Sequence, residues 1–219
     1  MIYVSYRFDD GDITQYNVGF STLKRLNQVG SFYIITDKIG SSGFMTVENL
    51  KDIYKNGSDI GSHSCSHNDN WIDSNNFIIK KEILDSKMIL RNLGFKPKIF
   101  CFPKMNMNTK TENFARDNYI AIFKNYSSDR IIKLNKNYIP SYPTKFGIQK
   151  IHDLLSRKSD IDVWLVITFH KITNYPTEYD ITPEEFVNIL LLVDNGVKNN
   201  THINLTVEEG FELFYNKKT

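Results

Sequence analysis

Residues Val163–Phe169 read Val-Trp-Leu-Val-Ile-Thr-Phe, a near-continuous apolar run closed by His170. A strand that is apolar on both faces must be covered on both, which is the situation of a strand in a parallel sheet flanked by helices. The rest of the chain alternates in the way such a sheet requires. Strands are expected over Ile2–Phe8, Ser31–Thr36, Ser58–Ser62, Ile99–Phe102 and Ile120–Phe123. Helical spacing fills Gln15–Val29, Phe77–Leu93 (halted by Gly94 and Pro97), Thr111–Asp117 and Ile148–Leu155. Thr46 reads as a helix N-cap, and Thr182-Pro183-Glu184-Glu185 and Thr206-Val207-Glu208-Glu209 as capping boxes. No repeat or linker divides the chain, so one α/β domain over residues 1–219 is expected. Pattern alone leaves an open sheet and a barrel equally possible. The Gly-rich turns of nucleotide-binding folds are missing.

A net charge of +2 without a basic stripe argues against a nucleic-acid binder. No apolar stretch reaches the ~18 residues of a membrane span. Met1 is followed by the strand-like Ile2-Tyr3-Val4-Ser5-Tyr6 rather than a leader, so a cytoplasmic or otherwise intracellular protein is expected, or a secreted one if a leader precedes Met1. Cys65 and Cys101 are too few for a disulfide scaffold and read as free thiols.

Three predicted strand ends carry the chemistry, and strand C-termini are where parallel α/β folds build sites. The first is Arg7-Phe8-Asp9-Asp10-Gly11. Neighbouring carboxylates on a strand point to opposite sides, but a Gly turn can aim both at one pocket; taken alone, the segment is as well explained as a turn. The second is His63-Ser64-Cys65-Ser66-His67. Two histidines four apart share one side of a helical turn and can reach one cation. The third is His170, leaving the most apolar strand. Together they supply ligands, a base and an acid for a metal-dependent hydrolase.

In order and wording these motifs resemble the NodB-type polysaccharide deacetylases, carbohydrate esterase family four. Arg7-Phe8-Asp9-Asp10-Gly11 is similar to that family's Thr-Phe-Asp-Asp-Gly, His63–His67 to its His-Ser/Thr-X-X-His, and Thr168-Phe169-His170 to its last motif. The lead-in Asp59-Ile60-Gly61-Ser62 and the stretch Ile181–Phe186 extend the likeness along nearly the whole chain. The resemblance implies an irregular (β/α) barrel, usually of seven strands. It implies a hydrolase that removes N-acetyl groups from an amino-sugar glycan or sugar precursor. Asp10, His63 and His67 would hold one divalent cation, zinc first, with cobalt or iron as alternatives. Asp9 would be the base and His170 the acid, each worth ~10²–10⁴-fold.

The chain departs from the family at the third motif, usually Arg-X-Pro-Tyr-Gly. Here Cys101-Phe102-Pro103-Lys104 lacks the Arg, while the backbone N–H of Lys104 would still serve as oxyanion donor. Arg7, two residues before Asp9 and therefore on the same strand face, is a candidate to replace the guanidinium and tune the base. The fourth motif is not clear; Phe102, Pro103, Tyr142 and Trp164 are candidate walls of the substrate pocket. Two other readings stay open, a hydrolase of another small-molecule C–N bond on the same fold and an inactive carbohydrate-binding homologue.

Overall fold

The computed structural model describes residues 1–68, 70, 72–126, 129–134 and 137–215. Its hub is β1 (Ile2–Asp10). On one side β1 pairs in parallel with β7 (Val163–Phe169) from Ile2 to Phe8. On the other, Arg7–Asp10 pair with β2 (Ser31–Ile34), and Ile2–Val4 pair with β8 (His202–Asn204). From β2 the sheet continues in parallel through β3 (Asp59–Ser62), β4 (Ile99–Cys101), β5 (Ala121–Tyr126) and β6 (Tyr138–Pro143) back to β7. Seven strands thus close a barrel, and β8 is wedged beside the start of β1.

Helices cover the outside. A π-helical turn at Gln15–Phe20 leads into α1 (Ser21–Arg25), and α2 (Val47–Lys55) follows β2. After β3, α3 (Asn76–Lys80) and α4 (Ser86–Asn92) are joined by a second π-helical segment, Lys81–Asp85. Then come α5 (Thr109–Asn118), α6 (Ile148–Ser156), α7 (Pro183–Lys198) and α8 (Val207–Tyr215). The caps on Thr46 and Thr182 form, and Thr206 exchanges hydrogen bonds with Glu209 at the head of α8. The first helix is shorter than its apolar spacing suggests. Asn27 adopts φ 53°, and the Val29 N–H leaves the helix to donate to Asn204 Oδ1. The sequence pattern marks no strand over Tyr138–Pro143, because Pro140 and Pro143 interrupt it. That segment is β6, held by few ladder pairs beside a bulge in β5.

Side-chain parity divides the core into two shells. On β1, Val4, Tyr6 and Phe8 point out to the helices. Tyr3, Ser5, Arg7 and Asp9 fall on the opposite, inward face. On β7, Leu165, Ile167 and Phe169 join the outer shell, whereas Trp164 and Val166 fill the interior with Ile99, Cys101, Phe123 and Ile139. This is why Val163–Phe169 is apolar on both faces.

One end of the interior is plugged. Val207, Phe211 and Phe214 of α8 join that inner cluster; Phe214 stacks on Trp164 at 5.7 Å and meets Tyr3 edge-on at 5.4 Å. Trp164 donates Nε1–H to Ser5 Oγ at 2.9 Å. The seat of α8 depends on Gly210, since a Cβ there would come within 2.4 Å of the Trp164 indole. Gly210→Ala should therefore destabilise the fold by ~1–3 kcal/mol, an overpacking cost. It should appear as a lower urea midpoint with an unchanged m-value.

Candidate active site at the open end of the barrel

The opposite end, where the strands finish, opens into a cavity of about 520 Å³. Asp10 is the last residue of β1 and takes φ 81°, followed by Gly11 at 82°. This left-handed turn swings the Asp10 carboxylate to the side that strand parity assigns to Asp9. Both carboxylates line the cavity.

His63 follows β3 directly, and the segment to His67 is an irregular loop rather than a helical turn. The two histidines therefore do not share a helical face, contrary to what their four-residue spacing predicts. The two rings meet because Ser64 (φ 66°) and His67 (φ 59°) fold the loop back, bringing the ring centroids to 4.9 Å. Glu82, buried in the second π-helical segment, holds that shape. Its carboxylate accepts from the Cys65 N–H (3.0 Å), the Ser66 N–H (2.9 Å) and Ser66 Oγ (2.8 Å). Nothing in the sequence singles out Glu82, because it lies 16 residues beyond Ser66, in a helical segment outside the loop.

Asp10 Oδ1 lies 3.4 Å from His63 Nε2 and 3.3 Å from His67 Nε2. The three donor atoms are all within 4.8 Å of one another. His63 donates Nδ1–H to the Cys101 carbonyl at 2.9 Å, which turns Nε2 toward Asp10. Asp10 Oδ1 is buried with no hydrogen-bond partner among the described residues. Burial alone would raise the Asp10 carboxyl, but His63, with His170 and His67, holds it well below the usual carboxylate range. One carboxylate, whose Oδ1 is the orphaned atom, and two imidazoles fit a divalent cation with open positions left over. A second trio, Asp9, His63 and Cys101, is equally close, but the Arg7 guanidinium stands in it and no cation fits.

Arg7 is 2% exposed, inside the barrel. Its guanidinium donates from Nε to Asp9 Oδ1 (2.8 Å), from Nη2 to Asp9 Oδ2, and from Nη1 to Ser141 Oγ (2.8 Å). It lies 4.0 Å from the Phe123 ring centroid and against Cys101 Sγ. Burial would raise the Asp9 carboxyl; Arg7 outweighs it, helped by His63 and His170, and keeps it below its ordinary value. The two thiols are free and buried, and burial pushes Cys65 up to about 11.

His170 stands at the end of β7 with Nε2 4.0 Å from Asp9 Oδ2. Gln15 ties the two strand ends together, donating Nε2–H to the carbonyls of Asp9 and of His170, the latter at 3.1 Å. Among the described residues His170 Nδ1 has no hydrogen-bond partner. The segment before β7 does not supply one: Asp162 pairs with the N-terminal amine at the other end of the barrel.

The structure brings Arg7, Asp9, Asp10, His63, His67, Phe102, Lys104 and His170 onto one cavity wall. Lys104 and Met105 also have positive φ, 52° and 56°. Five of the seven described non-glycine residues with positive φ therefore sit on the three loops of this site, where strain commonly accumulates.

Three expected pocket residues are corrected. Tyr142 points outward, because parity on β6 turns Ser141 inward; it is 3% exposed in the outer shell and donates its hydroxyl to the Phe146 carbonyl. Trp164 has inward parity but lies five residues before the strand end, roughly 16 Å from the mouth at ~3.3 Å per residue. Pro103 is buried and opens the turn that carries Lys104 instead of lining the cavity. The wall is completed by residues no motif marked, among them Tyr126, Lys145, Thr177, Tyr179 and Asp180.

A family model described as polysaccharide deacetylase matches residues 2–122. Among curated proteins no match is found. Several solved structures share the fold. A family 4 acetyl xylan esterase from Clostridium thermocellum, in complex with a cobalt ion, is 21% identical with TM-score 0.66, over 96% of this chain and 91% of that one. The Bc1960 peptidoglycan N-acetylglucosamine deacetylase is 18% identical with TM-score 0.67, over 98% and 88%. The peptidoglycan deacetylase PdaC from Bacillus subtilis is 15% identical with TM-score 0.63, over 95% and 89%.

Two outcomes are expected from this geometry. Arg7→Met leaves Asp9 buried without its partner and should cost ~3–5 kcal/mol at neutral pH. Because the folded Asp9 pKa is depressed, its contribution is present above the unfolded carboxylate value of ~3.9 and is lost as pH falls through the lower folded value. In Arg7→Met burial no longer has the guanidinium against it and raises Asp9, so the stability gap from wild type, followed by urea unfolding, should begin to narrow above pH ~3.9, where the variant's Asp9 takes up a proton, and should go on closing as pH falls through the lower wild-type value. Glu82→Ala frees the His63–His67 loop and should weaken divalent-cation affinity by ~10–100-fold in chelator competition.

Proposed function

This chain belongs to the polysaccharide deacetylase family, and from that premise we propose that it hydrolyses the N-acetyl groups of an amino-sugar glycan or sugar precursor, with one divalent cation, zinc first, held by Asp10, His63 and His67. One observation carries the reading. The carboxylate and two imidazoles converge within 4.8 Å, and beside them Asp9 and His170 are 4.0 Å apart in the same cavity.

When bound, the cation would polarise the acetyl carbonyl and acidify the attacking water. The chain's own residues account for the remaining requirements. Asp9, kept ionised by Arg7, receives the proton of the water at a carboxylate oxygen. The Lys104 backbone N–H stabilises the negative charge that develops on the acetyl oxygen. His170 gives a proton from Nε2 to the departing nitrogen, and an amine, unlike an alcohol, must be protonated to leave. Phe102 gives the cavity an apolar wall beside these groups.

The names of the similar structures include both an acetyl xylan esterase and N-acetylglucosamine and peptidoglycan deacetylases, so the test spans N- and O-acetylated sugars. Acetate release should disappear on chelation, return with added cation and fall by ~10²–10⁴-fold in Asp9→Asn. Release that is indifferent to cation removal would overturn the proposal. An inactive carbohydrate-binding protein would release none under any condition.

A further inference from the structure

We propose that the cavity takes an N-acetylated sugar carrying an anionic substituent, a phosphate or a carboxylate, and that Lys145 is the residue that recognises it. This inference rests on the deacetylase reading above and specifies its substrate.

Lys145 belongs to the short turn after β6, Thr144–Phe146, and lines the cavity. Its ammonium is surrounded by rings, lying 4.7 Å from the Tyr179 centroid, 5.1 Å from Tyr126 and 5.8 Å from Phe146. It donates to the Tyr179 hydroxyl at 3.4 Å. Ring faces fix where a cation sits without neutralising it. No carboxylate lies within ion-pair distance of Lys145 among the described residues.

The acids nearby are engaged elsewhere. Asp9 is bound to Arg7, and Asp10 faces the two histidines. Asp180 accepts from the Lys171 N–H (3.1 Å), the Thr177 N–H (3.1 Å) and Thr177 Oγ1 (2.7 Å) within its own loop. Lys171, the neighbouring cation, has Asp12 at 3.7 Å. Among the described residues no carboxylate pairs with Lys145, and its charge faces a concave, partly apolar wall, where a unit charge attracts its opposite more strongly than in open water.

The position is built. Thr144 Oγ1 donates to the Tyr179 carbonyl at 3.0 Å and locks the two loops together. Tyr179 in turn stands edge-on to His170 at 5.8 Å. An anionic group on Lys145 would thus lie on the His170 side of the bound sugar. A neutral sugar there would offer the partly desolvated ammonium hydroxyl acceptors but no opposite charge, and a hydrogen bond to a charged acceptor is the stronger one.

The test compares one N-acetylated sugar in three forms, neutral, phosphorylated and carboxylated. Binding is titrated calorimetrically into metal-free protein, and kcat/KM for acetate release is measured on the metal-loaded protein. Wild type should favour an anionic form by about tenfold or more, as for a charge-assisted contact. High salt should narrow the preference. Lys145→Met keeps the stem among the rings and removes the charge; it should abolish the preference for the anionic forms. Lys150→Met, on the exposed face of α6, should change neither. A gain for only one anionic form identifies the substituent. Equal binding of all three forms, or a preference that survives Lys145→Met, would overturn the inference. Failure of acetate release with the binding preference intact would instead count against the deacetylase reading alone.

Discussion

The buried pair of Arg7 and Asp9 is the interaction on which the site depends. A guanidinium inside a barrel is costly to desolvate, and it is tolerated because its donors are used. Two bonds go to Asp9 and one to Ser141, with Phe123 beneath the plane. The pair links the first strand to β4, β5 and β6 through Cys101, Phe123 and Ser141. The charge that stabilises the closed barrel is therefore the same charge that keeps a carboxylate ionised at its mouth. Here the guanidinium and the carboxylate come from one strand, two residues apart.

Around this pair the barrel divides its labour by depth. The far end is apolar and closed by α8 against Trp164, with a glycine at the contact to allow the approach. The open end carries charge, left-handed backbone and segments tied by buried polar side chains. Glu82 shapes the His63–His67 loop, and Gln15 fastens the end of β1 to the end of β7. Neither side chain reaches the cation position itself. Both act on backbone groups, which is how a site on loops attains the precision of a site on strands.

Much of the fold was legible because it rests on local periodicity. The apolar run Val163–Phe169, the capping boxes at Thr182 and Thr206 and the strand–helix alternation are all short-range signals. The pattern failed at β6, whose prolines suppress the strand signal and whose pairing comes from neighbours already in place. It failed again at the end of the first helix, where Asn27 and a hydrogen bond from Val29 to Asn204 override helical spacing. Both are contacts between distant segments, which no window along the chain contains.

The same division holds for the site. The sequence by itself determined which residues are available for chemistry, since Asp9, Asp10, His63, His67 and His170 stand in marked motifs at strand ends. Only the tertiary structure decided how they meet. Positive φ at Asp10, Ser64 and His67, rather than a helical turn, brings the three ligand atoms together. Strand parity sent Tyr142 outward and Ser141 inward, and distance along β7 removed Trp164 from the mouth. The walls of the cavity, Lys145 and Tyr179 among them, come from loops whose residues carry no motif. Their role follows from where the closed barrel places them, because a wall is defined by what it faces and not by the residues beside it in the chain.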